Sequence, residues 1–336
     1  MEQIGLLHDG QIYDLQTAEA LNIKGDIIKA DDSKESLEIL RHSCAHMMAQ
    51  AIKELYPEAK FFVGPVVKEG FYYDFKVESK ISDEDLPTIE KKMKEIADRK
   101  LPITRHETTK EEFFEKFKND ELKQAVLKNI KDDILTIYKQ GDFEDLCRGP
   151  HLPNTRMIRS FKLTRVAGAY LGGDEKNEMI TRIYGIAFFD KQALFDYSKM
   201  IEEAKKRDHR KLGTELELFT FNDDVGAGLP MWLPNGARLR SKLEHILYKS
   251  HRIRGYEPVR GPEILKAEMW KISGHYANYK ENMYFTTIDE QEYWIKPMNC
   301  VGHIQIFKNS LVSYKDLPKK LFEYGVVHRH EMSGAM

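Results

Sequence analysis

Residues 33–55, SKESLEILRHSCAHMMAQAIKEL, constrain this chain most. Their apolar residues recur at the spacing of one helical face, Ser33 or Asp32 can cap the start, and Tyr56-Pro57 closes the run. The spacing therefore predicts a long helix. A strand-turn-strand pattern follows in KFFVGPVVKEGFYYDFKV, then a second helix in DEDLPTIEKKMKEIADRK, whose Pro87 suits a first helical turn. Residues 108–140 read as charged and helical, and DFEDLCRGPHLPNT as an irregular segment. FKLTRVAGAYLGGDEKNEMITRIYGIAFF reads as strands broken by a glycine turn. Together these make an α+β domain over residues 33–195. Residues 1–32 look like a short hairpin with an Asp-Gly turn in HDGQ, too few for a domain of their own.

Beyond that domain, residues 196–212 form a basic linker helix carrying Lys205, Lys206, Arg207, His209, Arg210 and Lys211. It is either a solvated helix face or a positive face for a phosphate backbone. A further section, 213–336, opens with a Gly/Pro-rich loop feeding an amphipathic helix and continues through the expected strands MYFTTI and EYWIKPM. The length of 336 residues suits about two domains at ~150 residues each. With 52 Lys+Arg against 54 Asp+Glu, a net charge of -2 excludes a histone-like polycation but allows a local basic face. The three cysteines, Cys44, Cys147 and Cys300, are too far apart for a disulfide framework or a CxxC knuckle, and the N-terminus lacks a leader pattern. No stretch approaches the roughly 20 apolar residues of a membrane span. A cytoplasmic protein with no membrane partner is expected.

His42 and His46 stand four apart on the expected helix, so their rings lie about one turn apart on one face and can share a metal, a water or a phosphate. Cys147 and His151 repeat that spacing in the irregular segment. The four make a joint pocket, holding zinc or doing polar chemistry without metal, unless Cys147 is ordinary core packing and the histidines lie on the surface. No glutamate of the HExxH kind accompanies them, which disfavours a zinc peptidase. Cys300, at the end of a strand-like run, reads alone as a small buried hydrophobe. His275 and His303 are its candidate partners, though neither stands at a standard zinc spacing. Arg329 and Glu331 alternate on an expected strand and share one face. They form either a simple ion pair or a nucleotide clamp, guanidinium to phosphate and carboxylate to amino group. Neither GxxxxGK[ST] nor GxGxxG occurs, so P-loop and dinucleotide folds lose their support.

The blocks RHSCAHMMAQAI, VGPVVKEGFYYDF, DLCRGPHLPNT, RIYGIAFF, LPMWLPNGARLRSKLE, IKPMNCVGH and YKDLPKKLFEYGVVHRHEMSGAM, taken in order, resemble the bacterial threonyl-tRNA synthetases, a class II aminoacyl-tRNA synthetase family. The resemblance runs from about Leu37 to Met336, roughly 300 positions. It implies that residues 33–195 are an editing domain of the threonyl/alanyl type, where water hydrolyses mischarged seryl-tRNA(Thr). His42, His46, Cys147 and His151 would line its pocket, with Tyr73 and Asp145 matching further positions of that site. Zinc is not required there, so the quartet is assigned to substrate and water positioning. Residues 213–336 would be the first part of a class II catalytic domain, an antiparallel sheet with flanking helices. Pro262 matches the first class II signature, at a homodimer interface. Arg329 and Glu331 match the second, with the arginine on the ATP α-phosphate and the glutamate near the adenine and the acceptor end. Met298 belongs with them in the synthetic site, and Cys300 matches the zinc-ligating cysteine.

The resemblance thus implies tRNA(Thr), threonine and ATP with Mg2+ as substrates and one Zn2+ per subunit. A zinc ion that accepts both the amino and hydroxyl groups of threonine rejects valine, but serine offers the same two groups. One missing methyl is worth only about 1–3 kcal/mol, so a second, hydrolytic site must remove serine. Three departures stand out. Val301 occupies a position where the family commonly has proline, and residues 1–32 look like a remnant of the family's ubiquitin-like domain. The chain also reaches Met336 before the third signature, two zinc ligands and the anticodon-binding domain. The expectation is an N-terminal portion that does not catalyse threonine-dependent pyrophosphate exchange alone. The alternatives are a free-standing seryl-tRNA(Thr) deacylase acting in trans and a non-catalytic tRNA-binding module using the Lys205–Lys211 face.

Overall fold

The computed structural model describes residues 2–128, 130–173, 177–226, 228–309 and 311–331. Residues 174–176 of the expected glycine turn and 332–336 of the last sequence block lie outside the described residues. The chain divides into two compact units, residues 1–203 and 204–336.

The first unit opens with β1 (Gln3–His8), β2 (Gln11–Asp14), α1 (Leu15–Ala20) and β3 (Asp26–Lys29), the strands forming an antiparallel sheet in the order β2-β1-β3. Asp9 and Gly10 both take positive φ, as a two-residue hairpin turn of this hand requires. Ile4 and Ile28 of this sheet belong to the same apolar core as the rest of the unit, so the N-terminal sheet packs on it directly. The centre of that core is α2 (Lys34–Leu55). A helix with one apolar face was expected, but between Ile39 and Ile52 every residue except His42 is buried. Helix α2 packs against α3 (Leu86–Asp98), against β6 (Gly70–Lys76) and β11 (Met179–Phe188), and against β1 and β3. Ser43, Ala45, Ala49 and Ala51 are small enough for this close approach on several sides. The main sheet runs β10 (Ser160–Tyr170), β11, β6, β4 (Lys60–Phe61), with β5 (Val66–Val67) also paired to β6.

The expectation of helix throughout 108–140 is corrected. Helices α4 (Lys110–Lys116) and α5 (Glu121–Lys128) occur, but β7 (Ile103–Thr109), β8 (Ile134–Gln140) and β9 (Phe143–Leu146) form an antiparallel sheet. The charged residues lie mainly before residue 134, whereas ILTIYKQ is β-branched and aromatic and buries Leu135, Tyr138 and Gln140. Strand β9 replaces the start of the expected irregular segment and delivers Asp145, with Cys147 just beyond it. The expected single linker helix also breaks. Helix α6 (Lys191–Lys206) ends, and α7 (His209–Glu215) restarts after Asp208, whose carboxylate accepts from Arg210 N at 2.8 Å.

The second unit continues through β12 (Phe219–Thr220), β13 (Met231–Trp232), α8 (Pro234–Ile253), β14 (Glu257–Pro258), β15 (Ile264–Lys266), α9 (Ala267–Ile272) and α10 (His275–Tyr279). Then come β16 (Phe285–Ile288), β17 (Gln291–Ile295), α11 (Cys300–Lys308) and β18 (Leu321–Phe322). Its largest sheet is the antiparallel β15-β17-β16, with a small core of Ala267, Trp270, Met283, Trp294 and Val301 beside it. Both units are therefore α+β, with antiparallel sheets flanked by helices; the short β14–β18 pair is parallel. No helix of the described residues is long and apolar enough to cross a membrane.

Candidate active site

Helix α2 and the segment after β9 bring His42, His46, Cys147 and His151 together, with one donor atom from each within 4.8 Å of all the others. Cys147 Sγ lies 3.2 Å from His42 Nε2 and 3.1 Å from His151 Nε2, and accepts from Gly149 N at 3.2 Å. Ser43 Oγ donates its only hydrogen to Ile39 O at 2.8 Å and accepts from Leu152 N at 2.8 Å. Its contact with His151 Nδ1 at 3.3 Å therefore needs the proton on Nδ1. That leaves the His151 Nε2 lone pair facing the thiol. His46 Nδ1 is buried with no protein partner.

All four groups are held in neutral forms. Burial lowers the His42 pKa to about 4, against the carbonyls of Pro150 and Gly149 and the charge of Asp14. Burial, helped by the neighbouring His42, lowers that of His46 to about 3. His151 is pushed well below the ordinary range by burial and by the other two rings. Burial likewise pushes the Cys147 thiol up. A thiol without thiolate character beside neutral imidazoles is a poor covalent nucleophile. What the site offers is a set of neutral hydrogen-bonding groups suited to orienting a water.

Asp145 sits beside this cluster, 2% exposed, paired with the equally buried Lys123 of α5 and accepting from the Tyr73 hydroxyl. Burial and the adjacent Asp145 push the Tyr73 phenol up, which keeps it a donor. Lys123 and Asp145 also line a cleft of about 500 Å³, shared with Phe61, Phe143, Lys53 and Arg99. The sequence reading missed Lys123, because a lysine in a short charged helix carries no sign that it turns inward.

In the second unit, Cys300 opens α11 instead of ending a strand. Its Sγ is 3.3 Å from His275 Nε2, whereas His303 contacts Glu323 at 3.1 Å. Arg329 and Glu331 do not lie on a strand, contrary to expectation. Their segment is held by single backbone bonds, from His328 N to Lys296 O and from His330 N to Asn282 O, rather than by a ladder. The two side chains still approach to 3.9 Å, and Arg329 Nε donates to Pro297 O at 3.3 Å, next to the half-buried Met298. Lys296 and Glu323 form a further buried ion pair at 2.9 Å, which the sequence reading also missed.

A threonine--tRNA ligase from Campylobacter jejuni is 70% identical over 335 residues, covering 100% of this chain and 55% of that protein. The chain belongs to the threonyl-tRNA synthetase family. The threonine--tRNA ligase of Helicobacter hepaticus is 65% identical over 335 residues, covering 100% of the chain and 56% of that protein. The chain thus spans about half the length of the curated relatives it matches. A crystal structure of the RNA-binding domain of threonyl-tRNA synthetase from Cryptosporidium parvum aligns with 39% of this chain and 32% of that one, at 48% identity and a TM-score of 0.37. The family model described as the threonyl and alanyl tRNA synthetase second additional domain matches residues 135–184, and the class II core domain (G, H, P, S and T) matches residues 284–336.

For this member of the threonyl-tRNA synthetase family, the first match holds Asp145, Cys147 and His151, while the fold supplies His42, His46 and Tyr73 from α2 and β6. The second holds Met298, Cys300, Arg329 and Glu331. Among the described residues, Cys300 meets one imidazole, that of His275. One thiol and one imidazole do not make a zinc site of three or four protein ligands.

Proposed function

We propose that the chain carries the editing unit and the opening part of the synthetic unit of a threonine--tRNA ligase, with the first unit hydrolysing seryl-tRNA(Thr) in the cytoplasm. The observation that carries this reading is the quartet His42, His46, Cys147 and His151, with His46 and His151 buried and His42 and Cys147 half-buried, held neutral, and with His46 Nδ1 left without a protein partner. A water oxygen adds to the ester carbonyl carbon, the bond to the ribose oxygen breaks, and that oxygen takes up a proton, giving serine and deacylated tRNA. His46 Nδ1 and the Cys147–His151 pair orient the water and the ester. The phenol of Tyr73 stays protonated against Asp145, and Lys123 sets the charge at the wall of the cleft.

The proposal extends to the whole ligase, which activates threonine with ATP and Mg2+ and transfers it to tRNA(Thr). Arg329 and Glu331 would form the nucleotide clamp beside Met298, Cys300 would contribute to zinc binding, and homodimers would form through the region around Pro262. Both side chains are close to half exposed at 3.9 Å from each other, which leaves them open to a nucleotide. A purely basic tRNA-binding module is less well supported, since Arg210 is tied to Asp208 at 2.7 Å and Lys211 approaches Glu215 at 3.8 Å.

Preformed seryl-tRNA(Thr) should be deacylated by the chain, with His46→Ala and Cys147→Ala each slower by about 10²-fold, the scale of losing a positioned polar group. The quartet also has the donor types and spacing of a zinc site, which makes chelation the discriminating control. Dialysis against a chelator is expected to leave the rate unchanged. A rate lost on chelation and restored by zinc would transfer the quartet to metal binding.

A further inference from the structure

Asp14, at the end of β2 in the N-terminal sheet, is 2% exposed, and its carboxylate accepts hydrogen bonds from three uncharged donors. Its Oδ1 accepts from Thr17 N at 2.7 Å, which caps α1. Its Oδ2 accepts from the Tyr138 hydroxyl at 2.6 Å and from the backbone N–H of His151 at 3.0 Å. The Tyr138 ring lies 4.4 Å from the His151 ring, and Thr17 Oγ1 is 3.0 Å from the same hydroxyl. Gln16 clamps the neighbouring strand from the same helix, donating to Ile103 O at 2.6 Å and accepting from Arg105 N at 2.7 Å. The fit is close. Gly149 has φ +76°, and a Cβ there would stand 2.6 Å from Tyr138 Oη and 2.8 Å from Asp14 Oδ2.

We propose that Asp14 is a positioning residue for seryl-ester hydrolysis: it pins the His151 backbone and, through Tyr138, the His151 ring, so that Nε2 faces Cys147. Asp14 is then the point at which the N-terminal sheet touches the editing site. A buried carboxylate that accepts from an active-site backbone N–H and from the phenol packed on the active-site ring sets both the height and the tilt of that ring. Without it, the Cys147–His151 segment loses its anchor on this side, and displacements on the order of 1 Å are enough to slow a positioned reaction by up to about 10²-fold. The proposal rests on the editing reading above.

The test uses the 336-residue chain with three variants: Asp14→Ala, Asp14→Asn and, as a control, Ile4→Ala, which opens a cavity in the same sheet without touching the loop. Two quantities are read: the single-turnover deacylation rate at saturating seryl-tRNA, and the imidazole ¹⁵N shifts of His151 in histidine-labelled protein. Asp14→Ala is expected to slow the saturated rate about 10-fold with KM within about 2-fold, and to move the His151 signals. Asp14→Asn keeps an oxygen for Tyr138 and His151 and should recover the rate to within about 3-fold. Ile4→Ala should keep both the rate and the signals. If Asp14→Ala does not fold, Tyr138→Phe carries the test, with a rate loss and shifted His151 signals expected. Unchanged rate and signals in the folded variant, or equal losses in Ile4→Ala, overturn the proposal. A wild-type chain without deacylase activity whose His151 signals still move in Asp14→Ala sinks the editing reading and leaves the positioning role standing.

Discussion

Replacing Lys123 with methionine while Asp145 remains is expected to destabilise the first unit by about 3–5 kcal/mol, the scale for removing one partner of a buried ion pair. Both side chains are almost fully enclosed, at 4% and 2% exposure. Asp145 would keep only neutral donors, the Tyr73 hydroxyl and Leu146 N, which do not balance a buried charge. The double variant Lys123→Met/Asp145→Asn removes both charges and preserves an acceptor for Tyr73, so most of the loss should return. The three tryptophans, Trp232, Trp270 and Trp294, all lie in residues 204–336. Tryptophan fluorescence therefore follows the second unit, and far-UV circular dichroism during urea titration also records the first. A Lys123→Met chain within about 1 kcal/mol of the parent would contradict the buried pair.

The second large effect is acid destabilisation of the same unit well above the carboxylate range. Once unfolded, His42, His46 and His151 take up protons below about pH 6.5. Folded, they resist protonation down to about pH 4 for His42 and about pH 3 for His46, with His151 also held low. The unfolded chain therefore binds more protons throughout this window, so stability is complete above about pH 6.5 and falls as the pH drops. Each such histidine contributes a slope of about 1.4 kcal/mol per pH unit. Urea unfolding followed by circular dichroism should show the first unit losing several kcal/mol between pH 7 and pH 5. A midpoint that does not move over that range would mean that the fold does not hold the three rings neutral.

Helical spacing made much of the site legible in the sequence. His42 and His46 had to share a face once residues 33–55 were helical, and the fold brings them to Cys147 and His151. The one-faced helix was a poorer guide, because a face that looks polar in sequence is buried when small residues let a second layer approach. Segment 134–140 was obscured by the charges before it, and its strand character emerges through pairing with β7 and β9. Lys123 and Asp14 left no local trace at all. A lysine in a charged helix and an aspartate after a hairpin are ordinary surface residues until distant strands enclose them. Arg329 and Glu331 remain near each other, but single backbone contacts hold their segment where a strand was expected.

A quartet that hydrolyses serine from tRNA(Thr) must discriminate serine from threonine. Single-turnover deacylation of seryl-tRNA(Thr) and threonyl-tRNA(Thr) by the same chain should differ by at least about 10-fold in favour of serine, since one extra methyl in an enclosed pocket is worth about 1–3 kcal/mol. His46→Ala should slow seryl-tRNA(Thr) deacylation by about 10²-fold and shrink that difference. Equal rates for the two esters, or cleavage that His46→Ala leaves untouched, would mean that the quartet is not an editing site for serine.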